Sequence, residues 1–362
     1  MRVGRIFGID IYIDPSWILI FVVVAWMLSS DAGPLRSAGL STPERWLFGS
    51  LTALLFFASV LAHELAHSLV ARMRGLNVSR ITLFIFGGIS QLTGDFKSAT
   101  GEGWVAFVGP LCSAVLAALF YVASQALGAH SALGLSTGYL WQANAALAVF
   151  NLLPAYPLDG GKVFHSLIWQ ATGDRRRATQ IASAVGQSIA IVMIALGIFL
   201  AFTWSFINGL WLAFIGWFLF QAGRAEAYQS SLGAALGGQT ASTVATMPPP
   251  PFRPDTTASD ATQALLRSGQ RAAAVVSDGR LLGIVTLSDL ARVHVNAPGV
   301  QVSSLMTPVD KIKSVAPDSD ALQALNLLAQ TGFHQLPVVD QAGGITGFVT
   351  REGVLQRLAL SN

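Results

Sequence analysis

The chain has 362 residues, of which 52% are hydrophobic and only 11% charged, with a formal net charge of +3. Ordinary soluble domains carry about 25% charged residues, so a wholly soluble globular protein is excluded. No stretch joins basic residues to aromatics, which argues against a nucleic-acid surface, and the one cysteine, Cys112, rules out any disulfide within the chain.

In chain order, residues 5–14 (RIFGIDIYID) alternate like a strand that Pro15 ends. Six apolar segments follow before about residue 225: residues 17–30, 46–73, 103–127, 139–153, 181–202 and 206–221. A helix needs about 20 apolar residues to span hydrocarbon, so the first segment is short. No small-residue cleavage pattern follows it, and it is expected to stay as a membrane helix. If the N-terminus is cytoplasmic, that side collects Arg2, Arg5, Arg72, Arg74, Arg80, Lys97, Lys162, Arg175, Arg176, Arg177 and Arg224. The other side holds only Arg36 and Arg45, so both termini are expected in the cytoplasm.

The second segment contains His63-Glu64-Leu65-Ala66-His67. Residues four apart share a helix face, so His63 and His67 can aim two imidazoles at one metal, with Glu64 placed to take a proton from water. Ionisable groups at membrane depth are costly and mark a functional site. Beyond it, residues 81–86 and 89–92 read as strands around Gly87-Gly88, a hairpin signal whose open edge needs a partner. A catalytic zinc takes three protein ligands. The candidate third ligand is Asp159, in Asn151-Leu-Leu-Pro-Ala-Tyr-Pro-Leu-Asp159-Gly-Gly, where Pro154 and Pro157 break the fourth segment and free a carboxylate to turn inward. The alternative is a plain turn with Asp159 facing solvent. His130, His165, His294 and His334 stand without partners at ligand spacing and read as structural.

After Arg224 the composition changes. Residues 229–247 are rich in Ser, Gly, Ala and Thr and end in the prolines 248–251, a linker or loosely helical connector. The remainder is soluble in character and repeats once, at an offset of 59 to 64 residues. Met247, Pro254-Asp255, Val275-Val276 and Gly283-Ile284-Val285-Thr286 recur as Met306, Pro317-Asp318, Val338-Val339 and Gly347-Phe348-Val349-Thr350. Each copy resembles a cystathionine-β-synthase (CBS) domain, and the tandem resembles a regulatory module that binds adenine nucleotides. The expected domains are 1–225 in the membrane, a 226–240 linker, and CBS copies at 241–300 and 301–362.

The whole chain resembles the site-2 protease family of intramembrane zinc metalloproteases. The likeness rests on HELAH, Phe86-Gly87-Gly88, Gly109-Pro110, the Asn151 to Pro-Leu-Asp-Gly element, six spans and the CBS pair. The expected fold is therefore a polytopic α-helical membrane protein with six transmembrane helices and membrane-associated β-hairpin strands, followed by a soluble α/β tandem CBS module. The resemblance implies one Zn2+ per chain on His63, His67 and Asp159, with Glu64 as general base and Asn151 holding the substrate backbone or oxyanion. Asn144 lies on the same helix face; it assists, or simply makes a helix–helix hydrogen bond. Phe86, Gly87 and Gly88 would pair with an extended substrate, a single-span membrane protein in the bilayer. Two departures stand out. Asp14 occupies a site where relatives often carry His, and reads here as a surface residue ending a strand. The first CBS copy has Gly283, Thr286 and Asp289 for an adenine nucleotide, while the second has Gly353 where the ribose-binding Asp should stand. At most one nucleotide site is intact, and a role in homodimerisation is the alternative. A CBS-gated transporter or channel is the rival reading of the whole, and it leaves HELAH and Asp159 without a joint purpose.

Overall fold

Isoleucines at 9, 11 and 13 alternate with Asp10 and Tyr12, and the strand they make buries Ile9 and Ile11 while its polar residues stay wetter. It does not extend over the whole of residues 5–14. Phe7 and Gly8 both take positive φ (48° and 77°), so the chain reverses there into a hairpin of β1 (Arg2–Ile6) and β2 (Ile9–Ile13), with Ile6 paired to Ile9. A two-residue turn of this hand needs positive φ at both central positions, and Gly8 supplies the second without strain. This geometry comes from a computed structural model describing the chain except Phe86, Gly94, Asp95, Ala129, Gly279, residues 293–298, Gly332, His334 and residues 355–362.

Two compact units result, Met1–Ser230 and Ser231–Asn362. In the first, Asp14 caps α1 (Pro15–Ser29) through Ser16 N, 2.9 Å from its Oδ1. Helix α2 (Thr42–Met73) begins in a Ser41–Glu44 capping box. Strands β3 (Asn77–Phe84) and β4 (Gly87–Thr93) then complete a sheet of order β1-β2-β3-β4, with β2 parallel to β3 and the other pairs antiparallel. Ile9, Ile11, Val78, Ile81 and Leu83 of this sheet share one core with Val60 and Ala71 of α2. Arg72 fastens the sheet to that helix by donating to the carbonyls of Phe7, Gly8 and Val78 at 2.7, 3.1 and 2.7 Å. The β3–β4 reversal lies ahead of the two glycines, since Gly87 pairs with Phe84 and Gly88 with Leu83.

Five more helices follow: α3 (Ala99–Leu127), α4 (Ala132–Asn151), α5 (Asp159–Thr172), α6 (Arg175–Thr203) and α7 (Phe206–Leu236). Among the described residues four helices are long and apolar enough to cross a membrane: Thr42–Met73, Ala99–Leu127, Arg175–Thr203 and Phe206–Ala225. Helix α1, at 15 residues, reaches only about 22 Å against about 30 Å of hydrocarbon. Helix α4 is diluted by Ser136, Thr137, Gln142 and Asn144 and falls short by composition. The segment expected as a linker over 226–240 is helical as far as Leu236.

The second unit contains α8 (Ala241–Val244), α9 (Ala258–Ser268), β5 (Ala272–Ser277), β6 (Arg280–Thr286), α10 (Leu287–Leu290), β7 (Thr307–Pro308), α11 (Ala321–Thr331), β8 (Gln335–Val339) and β9 (Ile345–Thr350). The repeat is visible in its pairings. Phe252 bridges Val275 in parallel as Val315 bridges Val338. Thr307 pairs with Ile284 of the first copy, and Thr246 with Phe348 of the second, so each copy lends a short segment to the other's sheet.

Candidate metal centre

His63 and His67 lie one turn apart on α2 and meet the first residue of α5. His63 Nε2, His67 Nε2 and Asp159 Oδ2 form an equilateral triangle of 3.1 Å sides. The three side chains are only 5%, 12% and 14% exposed, which for two imidazoles and a carboxylate is a concentrated donor set. Asp159 arrives there because α4 stops at Asn151 and a bent segment with Pro154 and Pro157 carries the chain to α5. Leu158 N donates to Ala155 O (2.9 Å) and Gly161 N to Leu158 O (3.0 Å), so this is a turn as well as an inward carboxylate. A Cβ on Gly160 would strike the Leu152 and Leu153 carbonyls, and one on Gly161 the Ala155–Tyr156 backbone. At the start of a helix a carboxylate is also favoured by the exposed N–H groups.

The far nitrogens of both rings are held by α3. His67 Nδ1 lies 2.6 Å from the Val105 carbonyl, which can only accept, so Nδ1 carries a proton and the neutral ring presents the Nε2 lone pair. His63 Nδ1 lies 2.9 Å from Ser113 Oγ. Midway between, a Cβ on Gly109 would collide with His67 Nε2 and stand 2.8 Å from His63 Nε2. Residues 105, 109 and 113 thus present one helix face: an acceptor, a gap and a hydroxyl. A tetrahedral ion with bonds of ~2.0–2.1 Å separates its ligand atoms by ~3.3–3.4 Å, close to the observed triangle. The donor chemistry, the oriented imidazoles and the space kept at Gly109 all fit zinc. Among the described residues this is the one group of three or more such side chains close enough to hold a metal ion.

Glu64 faces β4. Its Oε2 accepts from Ser90 Oγ at 2.9 Å, and a Cβ on Gly88 would collide with its Cγ. Gly87 holds φ at 130°, where a side chain is strained. Phe86 lies outside the described residues, as do His294 and His334. Asn144 is fully buried and donates to Leu140 O (2.8 Å), and Asn151 donates to Leu147 O (3.0 Å). Among the described residues no hydrogen bond joins either to the triangle, and Asn144 Oδ1 has no partner. His165 packs between helices, with Nδ1 3.0 Å from Glu102 Oε1 and Nε2 3.1 Å from Thr179 Oγ1. In the second unit Thr286 and Asp289 bond each other: Asp289 Oδ2 accepts from Thr286 N (3.1 Å) and Oγ1 (2.6 Å) in a capping box. Gly283 lies against Thr307 O and Met306 Sδ. The equivalent Thr350 accepts from Gly353 N (3.0 Å) with no carboxylate to answer it.

Sequence reasoning missed Val105, Ser113, Ser68 and Ser90. Two signals were available: Ser113 lies four residues beyond Gly109 in an apolar run, and Ser90 two residues beyond Gly88 on the same strand face.

A family model described as peptidase family M50 matches residues 51–142 and 126–197, and a CBS domain model matches residues 241–296 and 302–360. A relative from Synechocystis sp., named as a candidate zinc metalloprotease, is 34% identical over all of this chain and 96% of its own length. The similarly named Rip3 of Mycobacterium tuberculosis is 31% identical over 97% of this chain and 91% of its own. A solved site-2 protease from Methanocaldococcus jannaschii is 27% identical, covers 63% of this chain and 94% of its own, and superposes with a TM-score of 0.44.

Proposed function

The chain belongs to peptidase family M50, the site-2 protease family, with a tandem CBS module, and we propose that it is an intramembrane zinc endopeptidase cutting a single-span membrane protein. The observation that carries this reading is the buried triangle of His63, His67 and Asp159 with Glu64 beside it on the same helix. These three residues would hold zinc, which when bound acts as a Lewis acid and brings the pKa of water to about 7. Glu64 takes the proton of the attacking water and delivers it to the leaving amine nitrogen. Asn151, with one amide hydrogen committed to Leu147, has a second to offer the substrate carbonyl as charge develops on its oxygen. Asn144 braces the same helix face.

A peptide bond in a transmembrane helix is shielded by its own hydrogen bonds, and each backbone group exposed unpaired to lipid costs several kcal/mol. The substrate must therefore unwind and find a strand partner. Strand β4 is an edge of its sheet, and its first residues, Gly87 and Gly88, with Phe86 before them in sequence, would receive that substrate, glycine allowing close approach. We place both termini in the cytoplasm on the eleven-to-two division of basic residues, with α1 and α4 completing six membrane segments beside the four long helices. The CBS module would regulate access, binding one adenine nucleotide per chain through Gly283, Thr286 and Asp289 or pairing two chains as a homodimer. A transporter reading would leave the triangle and Glu64 idle.

The test compares membrane-retained and released fragments from cells carrying the wild type and Glu64→Gln. A fragment released only by the wild type identifies the substrate. Identical fragment sets would refute the peptidase.

A further inference from the structure

Glu64 is not free to turn. Its carboxylate lies against β4, where Gly88 and Ser90 point to the same side of the strand. Ser90 Oγ is 2.9 Å from Glu64 Oε2, and Ser68 Oγ, fully buried on α2 one turn beyond Glu64, is 3.2 Å from Ser90 Oγ. In the ionised form that a base needs, the Glu64 carboxylate only accepts, so Ser90 then gives its single proton to Glu64 and Ser68 donates in turn to Ser90. The direction Ser68 to Ser90 to Glu64 is set by chemistry.

Ser68 departs from the habit of three other hydroxyls on α1 and α2. Ser29, Thr52 and Ser59 each donate to the carbonyl four residues back, at 2.7, 2.7 and 3.0 Å. That local bond is the default for a hydroxyl in an apolar helix. Ser68 gives its proton across to the sheet instead. Nothing in the Arg72 clamp or the shared apolar core requires that bond, since those already hold sheet to helix.

We propose that Ser90 is the positioning residue of Glu64. It occupies Oε2, so that Oε1 is the oxygen left to take the proton. Because Ser90 sits on the sheet's edge strand, the orientation of the base is tied to the strand on which the substrate would lie. A hydrogen-bonding edge strand and a poised base then form one unit, so an extended substrate docked on β4 meets a base already oriented. This inference rests on the peptidase reading above.

The test uses the full chain in lipid vesicles with Ser90→Ala, Ser90→Thr and Glu64→Gln. Infrared difference spectra of wild type minus Glu64→Gln isolate the Glu64 carboxylate bands without any substrate. Ser90→Ala should shift those bands and Ser90→Thr, which keeps the hydroxyl on a β-compatible side chain, should restore them. Turnover is read on a synthetic single-span peptide with a Gly-Pro-weakened centre between fluorophore and quencher. Loss of a hydrogen bond to a charged group should lower kcat in Ser90→Ala about tenfold, with KM and zinc content unchanged. Unshifted carboxylate bands overturn the proposal, and so does a change in kcat of less than threefold, a change confined to KM, or loss of zinc. If Glu64→Gln itself cuts normally, the peptidase reading fails first. If Glu64→Gln is dead while Ser90→Ala is unaltered, only this inference fails.

Discussion

Replacing Gly109 by Ala should strip the metal from a protein that still folds. The added Cβ would lie 2.8 Å from His63 Nε2 and closer still to His67 Nε2, where ordinary van der Waals contact begins at 3.4 Å. His63 must therefore retreat by about 0.6 Å and His67 by more, while zinc–ligand distances tolerate only about ±0.2 Å. Neither ring can swing freely, because Ser113 and Val105 hold their Nδ1 atoms at 2.9 and 2.6 Å. Losing a hydrogen bond that orients a ligating histidine alone costs ~10–100-fold in affinity, and displacing two ligands should cost at least that. Elsewhere alanine suits a helix better than glycine, so the rest of α3 gains slightly. The assay is zinc per chain by mass spectrometry, followed by titration against a fluorescent chelator, on full-length Gly109→Ala and wild type. Equal stoichiometry and affinity in the two would refute the argument that Gly109 keeps the space the metal occupies.

Ser113→Ala should retain the fold and lose about 10–100-fold in zinc affinity through His63 alone, and an unchanged chelator titration would remove Ser113 from the site. Gly88→Ala pushes a methyl group into Glu64, so it should keep a full complement of zinc while turnover drops by at least about tenfold, within the ~10²–10⁴ that a general base supplies. Normal turnover there would show that β4 can yield. Calorimetry with AMP, ADP and ATP on the full chain should show one site per chain that Asp289→Ala abolishes. No heat at millimolar nucleotide would leave the CBS pair as a pairing module.

The candidate site was legible because its chemistry is expensive where it stands: two histidines, a glutamate and an aspartate in apolar surroundings have few other uses. The long apolar helices and the CBS repeat were legible for the same kind of reason, a periodic pattern sustained over many residues. What escaped were features set by tertiary contact. Alternation over residues 5–14 reads as one strand, because its pattern carries no sign of the positive φ at Phe7 that turns it into a hairpin. The Gly87-Gly88 pair suggests a turn, yet both residues lie in β4, where Gly88 makes room for Glu64 rather than for a reversal. Helix α5 went unread because the Pro-Leu-Asp-Gly-Gly turn runs directly into it. Ser68, Ser90 and Ser113 are common residues that matter only through a neighbour from another element.

On the proposed reading, His63, His67 and Asp159 hold zinc while Glu64, without holding it, moves the proton. Zinc content and cleavage measured on the same vesicle preparations of wild type, Glu64→Gln and Asp159→Ala separate the two roles. The wild type should show one zinc per chain and cleavage, Glu64→Gln one zinc and at least about a hundredfold slower cleavage, and Asp159→Ala depleted zinc with no cleavage. Full cleavage by Glu64→Gln, or full zinc in Asp159→Ala, would contradict that reading.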